Sequence, residues 1–448
     1  MIGQTRTITL LIVLGLLTMS LYIRKDVYLT PHVRGDQRFY IATAMKLAND
    51  GIRGYTLRGT DLRVQDDFFA YLDAAREGDK GNVLRYLSEH EGVRYYDMPL
   101  LTTPPLLSYA LVFSHGVFSP GEKYAVPHRK WIPGNGLYSP SQYARKQLYA
   151  IIVPLLSSLL LVLLVFLLGR SMFGREAATW AAFLVVICPT DILTSQKIWA
   201  DDLTALFVAL SVLLFIQAKK HDRLLLAALA GVSAGLAATA KPTGGFIVFA
   251  IGLYHLWLSR HDIRHGRFKA VVLDKTIIAF FAAGFLASLP WYGLVTATYG
   301  KPWYRGSLAL LNENAPWFRM LHERSRFIYL VNIPAQTPLL FLAYYVLLDL
   351  VRRVTSKDYR VLLFLWLFIY LYLVWGYKEE RYLLPAIPAA ALLAGLYLQR
   401  IRAWSDSRFG LHVGKILVIL ALVLCTIWSV PLARNVVLSD RALIKFPL

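Results

Sequence analysis

The chain is short of charge and almost without cysteine. Charged residues make up 17% of its 448 positions while 56% are hydrophobic, against a charged share of roughly a quarter in soluble globular domains. That shortage excludes an ordinary water-soluble globule and points to a polytopic membrane protein. Acids are scarcer than bases, 28 against 48, for a net charge of +20. In a soluble protein such an excess would suggest nucleic acid. Here it lies mostly in short turns beside apolar segments, where membrane topology and anionic lipid headgroups account for it, so no nucleic-acid partner is expected. The two cysteines, Cys188 and Cys425, both sit inside apolar stretches, which excludes a disulfide framework and a thiolate metal site. There is no repeat of solenoid period and no low-complexity tract. No convincing small-x-small cleavage site follows the first apolar stretch, and no retention or lipidation signal marks the C-terminus.

Apolar stretches long enough to cross roughly 30 Å of hydrocarbon lie near 7–23, 148–168, 177–195, 202–218, 224–240, 243–259, 276–296, 327–349, 361–376, 382–399 and 414–431. The expected fold is therefore an all-α polytopic membrane protein with about 11 transmembrane helices. Five basic clusters set the topology: Arg170/Arg175, Lys219/Lys220/Arg223, Arg260/Arg264/Arg267/Lys269, Arg352/Arg353/Lys357/Arg360 and Arg400/Arg402/Arg408. Short Lys/Arg-rich loops stay cytoplasmic. The N-terminus is then cytoplasmic, in a cell inner or plasma membrane, and the opposite loops face the periplasm or cell exterior. A further candidate, 101–118, opens with Thr102-Thr103-Pro104-Pro105 and carries Ser108, Ser114 and His115. Counting it as a span would put all five basic clusters outside, so it reads as an interfacial or re-entrant helix. One membrane domain, 1–432, follows, with a long first extracytoplasmic loop at 24–147 containing interfacial helices near 38–50 and 66–88, a second larger outer loop at 297–326, and a short outer tail at 433–448. Charge inside the spans reads as nearly absent, with His255 the main exception, which speaks against an ion-coupled transporter.

Charged motifs gather instead at the outer boundary. Asp36, in His32-Val33-Arg34-Gly35-Asp36-Gln37, precedes an amphipathic stretch; it fits a helix N-cap or, in a partly desolvated cleft, a general base. Asp201-Asp202 open an apolar span. They suit the helix dipole, yet adjacent carboxylates repel, and they also fit binding an acceptor, orienting a base or holding a divalent cation, which would need further oxygen ligands. Lys241, before Pro242-Thr243-Gly244-Gly245, fits either a snorkelling lysine or a phosphate ligand on a face that disfavours positive charge. The hairpin Tyr377-Lys378-Glu379-Glu380-Arg381-Tyr382 offers Lys378 and Arg381 to a phosphate, or an internal salt bridge from Arg381 to a neighbouring glutamate. The 297–326 loop, with Lys301, Arg305, Arg319, Arg324 and Arg326, breaks the positive-inside pattern, as an anionic ligand such as a lipid phosphate would explain.

Taken in order, these pieces resemble the GT-C glycosyltransferase superfamily, closest to its protein O-mannosyltransferase and aminoarabinose transferase branch. The resemblance covers most of residues 1–400 and rests on Gly35-Asp36-Gln37, Pro104-Pro105-Leu106-Leu107, Leu168-Gly169-Arg170 through Phe173-Gly174-Arg175, Asp201-Asp202, Gly231 to Gly235 leading to Lys241, and Arg381-Tyr382-Leu383-Leu384-Pro385. It implies a catalytic carboxylate at Asp36, a second acid at Asp201 or Asp202, and lipid-phosphate ligands at Lys241 and Arg381, with Arg324 or a neighbour as a further candidate. The implied activity is sugar transfer from a polyprenyl-phosphate donor to a hydroxyl of an acceptor protein, lipid or glycan, in contact with membrane lipids, with no certain cofactor and a divalent cation as an open option. The alternative is a lipid-linked sugar transporter or flippase. Two positions depart from the pattern: Gln37 stands where a glutamate is usual, and Thr103 where some members carry a lysine before the Pro-Pro.

Overall fold

The computed structural model describes residues 2–25, 40, 44, 47–48, 104–118, 140–299, 327–352, 354, 358–373, 379–410 and 412–438. All regular structure among them is helical. In chain order the helices are α1 (Ile2–Ile23), α2 (Leu106–Phe118), α3 (Pro140–Met172), α4 (Arg175–Val186), α5 (Pro189–Thr194), α6 (Asp201–His221), α7 (Leu224–Ala240), α8 (Ile247–Leu258), α9 (Arg260–Arg264), α10 (Phe268–Val272), α11 (Lys275–Tyr299), α12 (Ile328–Gln336), α13 (Val346–Arg352), α14 (Tyr359–Leu373), α15 (Ile387–Phe409) and α16 (Val413–Leu438). Three 3₁₀ segments, Pro242–Phe246, Pro338–Tyr345 and Glu380–Ala386, lead into α8, α13 and α15. Five of the described helical stretches are long and apolar enough to cross a membrane, and five shorter apolar ones accompany them. Within the described residues each expected span falls on a helix or on consecutive helical pieces, the end of 361–376 lying outside them. α16 also runs to Leu438, so the first residues assigned to a tail are helical. α2, with 13 residues, rises about 20 Å, less than the roughly 30 Å of a hydrocarbon core.

The departures from unbroken spans occur where proline removes a backbone donor. The 177–195 span divides at Cys188-Pro189 into α4 and α5, the 243–259 span opens at Pro242, and the 327–349 span breaks around Thr337-Pro338. Inside a bilayer every loosened carbonyl needs a donor, and neighbouring spans supply them. Trp366 Nε1 donates to the Pro385 carbonyl at 2.8 Å and Tyr370 OH to that of Gly244 at 3.1 Å. Ser429 and Trp428 of α16 donate to the Gln336 and Ala335 carbonyls, both at 2.9 Å.

Small residues bring the spans together. α7 packs along α11 through Gly231 and Gly235, where a Cβ would lie 2.0 Å from the Phe280 carbonyl oxygen and 2.5 Å from that of Gly284. Such backbone contact is the membrane substitute for a hydrophobic driving force between helices. α15 forms the hub of the bundle, buried continuously from Ile387 to Leu398. At the bundle end away from Asp201, the basic clusters are stitched to acids: Lys219 to Asp274 at 2.8 Å, Arg360 and Arg400 to Asp349 at 2.5 Å each, and Arg402 to Glu176 at 2.6 Å.

Candidate functional site

One end of the bundle collects the polar ends of several elements. α6 begins there with Asp201-Asp202, α7 ends there with Lys241 as its C-cap, α12 begins there with Tyr329 in its first turn, and the 3₁₀ segment before α15 brings Glu380, Arg381 and Tyr382. Lys241 Nζ lies 2.5 Å from Asp201 Oδ1 and 3.8 Å from the centre of the Tyr382 ring. The Arg381 guanidinium carbon stands 4.5 Å from the Trp199 ring centre and 5.2 Å from that of Tyr382, while its Nε pairs with Glu379. Two cations from different spans thus meet over one tyrosine ring, within the range of cation–π attraction. Both are half-buried, whereas Asp201, Glu379 and Glu380 are buried. Tyr329 OH donates to the Glu379 carbonyl at 3.3 Å and fixes that turn.

The two adjacent acids part company. Asp201 faces Lys241. Asp202 turns into the bundle, fully buried, and accepts from Thr194 Oγ1 at 3.0 Å, while its Oδ2 lacks a hydrogen-bond partner among the described residues. Asp36, Lys378 and Arg324 lie outside the described residues. A small apolar cluster beside the site joins Tyr40, Ala44, Leu107 and Leu111 to Ile198, Ala200, Leu203 and Ala240, and Ser108 Oγ donates to the Tyr40 carbonyl at 3.3 Å. The chain four residues after Asp36 is therefore packed directly against the neighbours of Asp201 and Lys241. No three His, Cys, Asp or Glu side chains converge among the described residues. Asp201 and Asp202 are already engaged by Lys241 and Thr194, so these residues do not by themselves supply a divalent-cation site.

Behind the cluster lies a buried ionic network that sequence reasoning missed. Arg24, at the end of α1, is fully buried and pairs with Asp191 of α5, which is also fully buried. Its Nε donates to Ser195 Oγ at 3.2 Å, and its Nη1 to Ser20 O at 3.1 Å, Ser20 Oγ at 2.8 Å and Val186 O at 3.2 Å. Ser158 Oγ adds a bond to Asp191 Oδ2 at 2.8 Å. The expectation of spans nearly free of charge fails here, since Asp191 sits inside 177–195. A signal was available: Cys188-Pro189-Thr190-Asp191 puts a breaker and an acid together within an apolar stretch, and intramembrane acids are functional or paired.

Residues 144–291 match the family model for dolichyl-phosphate-mannose-protein mannosyltransferase. No curated protein matches the chain in sequence. Among solved structures, ArnT from Cupriavidus metallidurans bound to undecaprenyl phosphate is similar with a TM-score of 0.54 and 15% identity, over 96% of this chain and 73% of that one. The apo oligosaccharyltransferase of Archaeoglobus fulgidus gives a TM-score of 0.55 and 12% identity over 96% of this chain, which spans 56% of its length. With AglB from the same archaeon the TM-score is 0.48 at 13% identity, and this chain spans 48% of that chain's length. The chain thus carries the fold of the GT-C membrane glycosyltransferases, and over residues 144–291 it is similar to the protein mannosyltransferase family.

Proposed function

We propose that this protein is a membrane glycosyltransferase that moves a sugar from a polyprenyl-phosphate carrier to an acceptor hydroxyl at the outer membrane face, with inversion at the anomeric carbon. The observation that carries the reading is the convergence of Lys241 and Arg381 on Tyr382, beside Asp201, at one end of a bundle with the GT-C fold. Lys241 is held by Asp201 and the Tyr382 ring, and Arg381 by Glu379 and the rings of Trp199 and Tyr382. A lipid phosphate entering between them gains charge-assisted hydrogen bonds from both, and the buried carboxylates keep them aimed.

In the proposed reaction Asp36 accepts the proton of the acceptor hydroxyl. The acceptor oxygen bonds to the anomeric carbon as the bond from that carbon to the phosphate oxygen breaks, and the lipid phosphate leaves with the electron pair. Lys241 and Arg381, with Lys378 and Arg324 as further ligands, stabilise the charge that grows on it. Asp201 is the second acid by this reading, because Asp202 is turned away into the bundle. Covalent geometry supports the placing of Asp36: four residues span at most about 14 Å, and Tyr40 is packed against the site's apolar flank.

The test is transfer from a panel of radiolabelled polyprenyl-phosphate sugars in membranes carrying wild type or Asp36→Asn. Label should reach a new product only with wild type, with at least about a hundredfold loss in the variant, the scale of removing a general base. Near-full activity in Asp36→Asn refutes its role. The second reading, translocation of a lipid-linked sugar, draws on the buried Arg24 and Asp191, since intramembrane charges often mark transport paths. Robust translocation in liposomes without transfer would favour it.

A further inference from the structure

The segment between α8 and α11 has a composition and an exposure that its place in the bundle does not require. It lies at the far end of α6 from Asp201: Lys219, near the α6 C-terminus, pairs with Asp274 at 2.8 Å, and the 21 residues of α6 put about 30 Å between the two ends. The segment is a compact pair of short helices, α9 and α10, joined through Gly266 at a φ of +73°, a conformation that glycine adopts without penalty. It is anchored on one side. Val271 is buried, its carbonyl accepts from His255 Nε2 at 3.0 Å, and Arg260 stacks on Trp257 at 4.1 Å while donating to the Trp257 carbonyl.

The other side is left open. Phe268, Val272 and Leu273 are 59%, 67% and 64% exposed; the first two stand one helical turn apart and so share a face. Three large apolar side chains within six residues, each more than half exposed, are expensive in water. Interleaved with them are Arg264, Arg267 and Lys269, all exposed. Of the two nearby acids, one is committed elsewhere and the other makes only a weak surface pair with one of these cations. Asp274 caps α11 through the Thr276 and Ile277 amides at 2.8 and 3.1 Å and holds Lys219, and Asp262 reaches only Arg267, at 3.6 Å on the surface, a pair worth little.

We propose that the α9–α10 pair is a docking surface for anionic phospholipid, in which Arg264, Arg267 and Lys269 engage headgroup phosphates while Phe268, Val272 and Leu273 enter the acyl boundary. Apolar insertion and cationic contact are each weak alone and reinforce one another at a charged bilayer surface. The surface is independent of the transfer site, so it stands whether or not the protein is a transferase.

The chain's only two cysteines are both buried, so Phe268→Cys offers one accessible thiol for a fluorophore. The labelled full-length protein is reconstituted in nanodiscs of a neutral phosphatidylcholine host containing either brominated phosphatidylglycerol or brominated phosphatidylcholine, at equal mole fraction. Quenching by the anionic lipid should exceed that by the neutral one at least about twofold. The Arg264→Gln/Arg267→Gln/Lys269→Gln background should abolish the excess and leave neutral-lipid quenching in place. Equal quenching by both lipids in the wild-type background would reduce the segment to an ordinary lipid-facing loop and overturn the proposal. Quenching by neither places it in water and overturns it too. The wild-type comparison decides even if the triple variant does not fold.

Discussion

Removing the Arg24 guanidinium should destabilise the protein far more than removing it together with its partner. Arg24→Met deletes the pairing with Asp191 and the bonds to Ser20, Ser195 and Val186. Asp191 is then left fully buried with Ser158 as its remaining side-chain donor. Stranding one member of a buried pair costs about 3–5 kcal/mol. With the unfolding entropy of soluble domains, about 2.1 cal/mol/K per residue, the 448-residue chain loses roughly 1 °C of melting temperature per kcal/mol, so a drop of about 3–5 °C is expected. Asp191→Leu should cost as much, because it strands the guanidinium instead. The double variant Arg24→Met/Asp191→Leu should recover most of the loss, since replacing both charges by apolar groups of similar volume is often neutral. Intrinsic fluorescence melts of the four proteins in one detergent give the cycle. Single variants that melt within 1 °C of wild type, or a double variant that loses the sum of the two singles, would refute the claim that these charges are held as a coupled buried pair. The double variant carries a second readout. Ser195 and Thr194 lie between Arg24 and Asp202, so a well-folded double variant with impaired transfer would mean that the network also positions the paired acids.

Lys241→Met should lower affinity for undecaprenyl phosphate by about tenfold or more, the scale of one charge-assisted hydrogen bond of about 1.5–3 kcal/mol, measured by displacement of a fluorescent polyprenyl phosphate; unchanged affinity would remove Lys241 from the phosphate site. Gly231→Leu should destabilise by about 1–3 kcal/mol through overpacking, because even a Cβ there meets the Phe280 carbonyl oxygen at 2.0 Å, and a melt equal to wild type would contradict the close backbone approach of α7 and α11. Asp274 supplies a pH test. Burial raises its pKa, but the Lys219 hydrogen bond and charge, the Ile277 amide and His255 outweigh that and hold it below the ordinary value of 3.8. Its contribution is present above the unfolded pKa of about 4 and is lost as pH falls through the lower folded value. The melting difference between wild type and Asp274→Asn should therefore be flat from neutral pH to about 5 and shrink below about 4; a difference that grows on acidification would contradict the pairing.

Much of the architecture was legible because the dominant signals are local. Unbroken apolar runs located the helices, and proline together with paired acids located ends such as Pro242 and Asp201. The nearness of Asp201, Lys241 and Arg381 was legible only as a shared membrane boundary. Their contact through Tyr382 and Trp199 depends on how three spans pack, which no window of sequence encodes. The pairing of Arg24 with Asp191 was illegible for a related reason: the two are separated by 167 positions, so an acid inside 177–195 signals a partner without naming it. Likewise the sequence could not choose between Asp201 and Asp202. Successive residues of a helix point about 100° apart, and which one faces Lys241 is set by the rotation of α6 against its neighbours.

The tight segment that opens α15 has a consequence for the aim of Arg381. A 3₁₀ turn advances about 120° per residue against about 100° in an α-helix. Over the six steps from Arg381 to Ile387 the two geometries differ by about 120° of rotation. With the hub clamped by Gly395, where a Cβ would lie 2.4 Å from the Ala177 carbonyl oxygen, that phase cannot be absorbed below. Regularising the Glu380–Ala386 turn would swing the guanidinium a third of the way around the helix axis, off the Trp199 ring. The choice of helix type at a membrane edge thus works as a rotational setting, selecting which side chain a rigid bundle presents to whatever enters there.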